Sequence, residues 1–294
     1  MKAISAKGGH ALMLSAVLAM GAMPVVALAA GGKEKQAAQR AVENSMLVTG
    51  TIDIDVGGGV TGYHLDQPDE LPAPVKELVA KAVPALRFEP PLVDGKPTAG
   101  RAKMGLRIVA RQLANGNYGL RVASTSFGNE KGVPGEEVTS RRLTPPKYPA
   151  EAYSWNMSGT VYLLLKIGRD GQVQDVATEQ VNLTAIGSES EMARARKLLA
   201  DASTSTARRW RFEVPTRGPA AADPYWKVRV PVSFSFKGRK AVAYGQWDAY
   251  VPGPRTRPAW ADDKDAEQSP DALIAGTVQQ LGSGPRLLTP PGQG

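Results

Sequence analysis

Two β-rich runs joined by a tight turn constrain this chain more than any other feature. The first, Ser158-Gly159-Thr160-Val161-Tyr162-Leu163-Leu164-Leu165-Lys166-Ile167, meets Gly168-Arg169-Asp170-Gly171, and a second apolar run extends from Val173 to Val181. Asp-Gly between such runs marks a hairpin, because the turn needs residues that tolerate positive φ. Val161, Leu163, Leu165 and Ile167 alternate onto one face, as do Val228, Val230, Val232, Phe234 and Phe236 further on. Between them Met192, Ala195, Leu199 and Ala202 recur at helical spacing. The pattern predicts a small antiparallel sheet with one helix on its apolar face, and Trp210 and Phe212 plugging the gap between helix and sheet.

The marks Pro146-Lys147-Tyr148-Pro149 followed by Ala152, Gly159-Thr160-Val161, Asp170-Gly171-Gln172-Val173, Arg209-Trp210-Arg211-Phe212 and Val230-Pro231-Val232-Ser233-Phe234 occur in this order. In them the stretch 144–240 resembles the C-terminal domain of TonB, the periplasmic energy transducer of Gram-negative bacteria. The resemblance implies a non-enzymatic protein that takes an extended segment of an outer-membrane transporter as an added strand, with main-chain hydrogen bonds supplying the affinity. It places the partner-binding residues on the last strand, Lys227, Arg229, Pro231, Ser233 and Ser235, and at Pro146 and Tyr148. The family often has Gln before its Pro-x-Tyr-Pro; here that position is Pro145.

Residues 47–127 repeat the order of parts. Thr49-Gly50-Thr51-Ile52 parallels Ser158-Gly159-Thr160-Val161, and Gly57-Gly58-Gly59 supplies a turn that reads as shorter. A helix from about Pro74 to Val83 follows, then Arg87-Phe88-Glu89 echoes Arg211-Phe212-Glu213. Expected, therefore, is an α+β chain of two TonB-C-like units produced by internal duplication, each an antiparallel sheet with one helix on a face. Ala114-Asn115-Gly116-Asn117 should turn the first unit into an extra strand, Tyr118–Val122, closing its edge; in the second, Ala241–Tyr244 could do the same. Tyr162 and Leu164 lie opposite the core set, which points to packing against the first unit or to a homodimer.

The flanks divide further. Residues 1–29, with Lys2, Lys7, an apolar run and Ala27-Leu28-Ala29, have the pattern of a cleaved secretory signal peptide, hence a periplasmic protein. An uncleaved inner-membrane anchor, and with it an energy-transducer role, is the competing reading. Residues 30–46 read as a short polar helix or linker, 128–143 as an interdomain linker, and 241–294 as a Pro/Gly-rich extension with a short helix from Ser269-Pro270 to about Leu281 and a loose end. That extension either lies disordered or lays its acidic run, Asp262 to Glu267, on the basic second unit.

The chain has no cysteine and a formal charge of +8. Thiol chemistry, disulfides and Cys-based metal sites are thereby excluded. Twelve Lys or Arg lie between Ser190 and Lys240 against Glu191, Asp201, Glu213 and Asp223. Arg194, Arg196, Lys197, Arg208 and Arg209 form a basic face that could hold an anionic envelope polymer, or simply a solvated surface. Nucleic acid is not indicated, since no stacking aromatics are interleaved. His64 lies beside Asp66 but stands alone, Asp263-x-Asp265-x-Glu267 has Gln268 where a calcium loop needs Gly, and no Gly-x-Ser-x-Gly elbow, phosphate loop or His-Glu-x-x-His occurs. No enzyme, cofactor or metal is expected; the expected partner is an envelope protein, a TonB-dependent outer-membrane transporter being the family's example.

Overall fold

The computed structural model describes residues 42–93, 95–113, 115–130, 132–236, 242–261 and 269–289. The proposed leader and the acidic run with its calcium-like spacing lie outside them. The first sheet is built on β1 (Glu43–Ile54), which starts inside the segment expected to be polar helix or linker. One edge of β1 pairs with β5 (Gly100–Gln112) and the other with β2 (Val60–Leu65). The turn at Asn115–Asn117 sends β5 back as β6 (Tyr118–Asn129), longer than the sequence suggested. Helix α1 (Ala73–Ala82) buries Val75 and Val79 against Met46, Val48, Ile52, Met104, Leu106, Ile108 and Phe127. A two-residue arm, β3 (Leu92–Val93) with β4 (Lys96–Pro97), connects this helix to β5.

The second unit follows the same plan. β7 (Thr139–Arg142) and the short helix α2 (Ala150–Ser154) precede β8 (Gly159–Gly168) and β9 (Val173–Leu183). Helix α3 (Glu189–Ala207) opens on a capping box: Ser188 Oγ accepts from Glu191 N–H while the Glu191 side chain accepts from Ser188 N–H. It buries Met192, Ala195 and Leu199 against Val161, Leu163, Leu165 and Ile167, while Ala202, the fourth residue of the predicted set, is half-buried. Then β10 (Arg211–Glu213) leads to β11 (Tyr225–Phe234), which pairs with β8 from Tyr225↔Gly168 to Phe234↔Gly159. Trp210 and Phe212 are buried in this core, and Trp210 Nε1 donates to Thr144 C=O at 2.8 Å. The α+β reading with two antiparallel sheets, each carrying a helix, holds.

The two units agree in detail at their first hairpins. Gly58 N–H donates to Asp55 C=O and Asp55 N–H to Gly59 C=O; Gly171 N–H donates to Gly168 C=O and Gly168 N–H to Gln172 C=O. The first turn is therefore not the shorter one. The Asp55 carboxylate accepts from Gly57 and Gly59 N–H, as the Asp170 carboxylate accepts from Gln172 N–H. Gly58 (φ 83°) and Gly171 (φ 73°) each lie under the carbonyl of the following Arg-Phe-Glu segment. A Cβ there would come within 1.9 Å of Phe88 O and 2.2 Å of Phe212 O respectively. Only glycine meets both demands.

Past Phe236 the chain departs from the expectation. Val242–Tyr244 form no strand on the second unit; Tyr244 and Trp247 pack on the first core, and Tyr244 Oη donates to Thr49 C=O. β12 (Asp248–Tyr250) pairs with the free half of β1. The helix expected after Ser269 is a single 3-10 turn, Pro270–Ala272, since the chain beyond it is drawn out along β11 as β13 (Gln279–Gln280). Of the stretch expected to be loose, residues 284–289 are held: Arg286 C=O accepts from Glu89 N–H, Leu288 N–H donates to Arg87 C=O, and Leu287 enters the first core. The remainder lies outside the described residues.

Candidate functional site: the sheet edges and the segment that covers them

The faces turned away from the helices hold the units together. Tyr162, Leu164 and Val109 are buried there, and the Pro270–Ala272 turn is wedged among β5, β6, β9 and β11. Arg107 on β5 donates Nε and Nη2 to Asp271 C=O, at 2.9 and 2.6 Å. The buried Asp271 carboxylate accepts from Ser124 of the first sheet, Asn182 of the second, Tyr250 and Ser269. Burial pushes the Tyr162 phenol up to about 12, and burial with the Asp271 charge raises Tyr250 as well. This is the inter-unit packing that Tyr162 and Leu164 suggested.

On the same face, the Arg229 guanidinium is fully buried. It gives Nε and Nη2 to the Glu179 carboxylate at 2.6 and 2.9 Å, and Arg255 approaches Glu179 Oε1 from the tail at 2.6 Å. Pro231 is buried too, and Lys227 is half-buried. The side chains of Arg229 and Pro231 therefore brace the interior. Of the other expected partner residues, Ser233 on this strand and Ser235, just past its end at Phe234 and not in the strand as expected, are exposed.

Both edges of the second sheet carry tail segments. Along β9, Val251 exchanges hydrogen bonds with Leu183, Gly253 pairs with the Gln180 and Asn182 amides, Thr256 N–H donates to Glu179 C=O, and Trp260 Nε1 reaches Asp175. Along β11, Gln280 opposes Val228, Gln279 opposes Arg229, Leu281 N–H donates to Lys227 C=O and Gly276 N–H to Pro231 C=O. Past Pro231, no strand among the described residues continues on this edge. By the alternation of an antiparallel ladder, Ser233 turns its main-chain groups outward there.

Beside that stretch lies an aromatic cluster. Tyr148 stacks on Phe236 (centroids 5.4 Å) and meets Tyr153 and Phe234 edge-on; its hydroxyl donates to Met157 C=O. Pro146 is half-buried near the start of this segment, and Tyr153 leaves 52% of its surface exposed. The structure thus joins Tyr148 to the C-terminal end of β11 through rings whose spacing no local pattern displays.

The basic face is dispersed. Arg194 pairs with Glu151 at 3.2 Å and Lys197 with Asp201 at 2.7 Å. Half-buried Arg196, its pKa lowered by burial, donates to Val181, Val251 and Pro252 carbonyls and so clamps the tail onto β9. Arg208 and Arg209 are exposed. His64 is exposed on β2 opposite Thr51. Among the described residues no group of three or more His, Asp or Glu could hold a metal, and no helix is long and apolar enough to cross a membrane.

No protein-family model matches the chain. It is similar to Protein TonB of Xanthomonas campestris pv. campestris, strains B100 and ATCC 33913, with 30% identity over 100 residues. The chain carries a TonB C-terminal-like domain. The match takes in 34% of this chain and 38% of either TonB, so the chain spans well under half the length of those relatives. Among solved structures, the solution NMR structure of Pseudomonas aeruginosa TonB CTD is 18% identical, covering 37% of this chain and 95% of that one. The TM-score between the two is 0.24.

Proposed function

We propose that this is a periplasmic, non-enzymatic TonB-like protein, two units descended from an internal duplication, that serves cell-envelope transport by protein–protein contact. Its partner, an outer-membrane transporter or another envelope protein, supplies an extended segment that begins to pair at Ser233 on β11. The observation that carries this reading is that β11 continues past its covering strand. There it offers outward main-chain groups beside the Tyr148, Tyr153 and Phe236 rings, which suit the side chains of an added strand. The export signal read in residues 1–29 puts the protein in the compartment where such a segment would be met.

An NMR titration of the full chain with extended transporter-derived peptides tests the proposal. Shifts are expected at the Ser233 and Ser235 amides, with only weak dependence on salt because the contacts are main-chain and apolar. Unmoved amides at saturating peptide would remove the reading.

A further inference from the structure

We propose that residues 274–283 are an internal stand-in for a partner's strand. Displaced, they leave a site for an extended, uncharged segment bearing a β-branched residue followed by two amide side chains. This deepens the strand-addition reading and rests on it for β11 as the acceptor.

The covering segment is seated differently from its flanks. Pro270, Asp271 and Ala272 on one side and Leu287 on the other are buried, whereas no residue from Leu273 to Arg286 is. The chain passes Gly276 (φ 79°), Gly282 (φ 78°) and Gly284 (φ 84°), and at the first two a Cβ would meet nothing within 4 Å. The segment can therefore leave β11 while both flanks stay anchored. Ser233 and Ser235 lie next to its last contact with the strand, Gly276 N–H on Pro231 C=O, so an incoming segment pairs there first and then advances.

The seated residues also state what the site reads. Val278 packs against the second core. Gln279 Nε2 donates to Ser126 Oγ and to Phe127 C=O, both at 3.0 Å, across on the first sheet. Gln280 Oε1 accepts from Val138 N–H at 2.8 Å. Phe127 and Val138 are themselves buried, so a ligand without amide groups leaves a carbonyl and an N–H unmet. A carboxylate in place of Gln279 would face the Phe127 carbonyl oxygen. The first unit thus reads Gln279, Val138 of the second core reads Gln280, and β11 supplies the backbone lane.

The test uses the full chain and, as probe, a fluorescent peptide with the sequence of residues 274–283. In the double variant Gly276→Pro, Leu281→Pro the Gly276 and Leu281 N–H bonds to β11 at either end of the paired stretch are gone, and Pro cannot adopt the φ of Gly276. This variant should bind the probe at least about tenfold more tightly than the unaltered chain, whose own segment competes. A probe with Ala at both glutamines loses three hydrogen bonds and should bind it at least about tenfold more weakly, and one with Glu for Gln279 should also bind at least about tenfold more weakly. Equal binding by the variant and the unaltered chain, or equal binding of the Ala probe, overturns the proposal.

Should the proline variant not fold, Gln279→Ala, Gln280→Ala in the full chain keeps every main-chain bond. Hydrogen exchange at Leu281 N–H should then accelerate about tenfold with Val230 unchanged, and an unchanged Leu281 refutes the idea. Probe binding is read at Lys227–Pro231 and transporter peptides at Ser233–Ser235. Failure with transporter peptides alone removes the proposed function and leaves the stand-in intact.

Discussion

Replacing Glu179 by Ala should cost the fold about 3–5 kcal/mol, the range for breaking a buried ion pair from one side. The figure follows from where the charges sit. The Arg229 side chain has no exposed surface, and Glu179 receives both its Nε and Nη2. Without the carboxylate, a desolvated guanidinium remains with no route to water. Arg255 shares the same carboxylate but is 33% exposed, so it can rehydrate where it stands. Arg255→Ala should therefore cost about 1 kcal/mol or less, as exposed pairs do. At about 2–4 °C per kcal/mol for a domain of 150–250 residues, thermal unfolding followed by circular dichroism should show Glu179→Ala melting on the order of 10 °C earlier and Arg255→Ala only slightly earlier. The Glu179→Leu, Arg229→Met double variant should regain most of the loss, since apolar replacement removes both desolvation costs. A loss under about 1 kcal/mol for Glu179→Ala, or equal losses for the two single variants, would refute this assignment of the load.

Gly58→Ala and Gly171→Ala should each destabilise by at least about 1–2 kcal/mol, from the left-handed φ alone before the carbonyl clash. Similar melting-point losses for the two are expected, and a tolerated substitution in one unit would break the correspondence between the hairpins. Ser188→Ala should cost about 1 kcal/mol by removing the cap of α3, read from urea unfolding. Tyr162 keeps its proton in the folded chain up to about 12, against 10.0 for an ordinary phenol. Its contribution to stability is thus complete below pH 10 and lost as pH rises toward 12. Phenolate absorbance should show this group titrating only with alkaline unfolding, and Tyr162→Phe should flatten stability across that window.

The first hairpin of each unit, helices α1 and α3 and the plug at Trp210 and Phe212 were legible because their signals are local. Alternation at Val161 to Ile167, the 3.6-residue recurrence in Met192 to Leu199 and the demand of a turn for Gly171 are written in neighbouring residues. The burial of Arg229 was not legible: alternation put it on the outer face, and only the packing of the first unit and Arg255 turned that face inward.

What the sequence determined by itself, then, was the content of each unit, two sheets with a helix apiece and the residues of each apolar face. What the tertiary structure alone decided was the occupancy of the edges: β12 on β1, Val251 on Leu183, β13 on β11, and Arg286–Leu288 against Arg87–Glu89. Edge pairing is made by N–H and C=O groups that nearly every residue possesses. Gln279 and Gln280 carry no periodic or apolar mark of a strand, and their place on β11 follows from the buried turn at Pro270–Ala272 and the anchor at Leu287 that hold the chain alongside it.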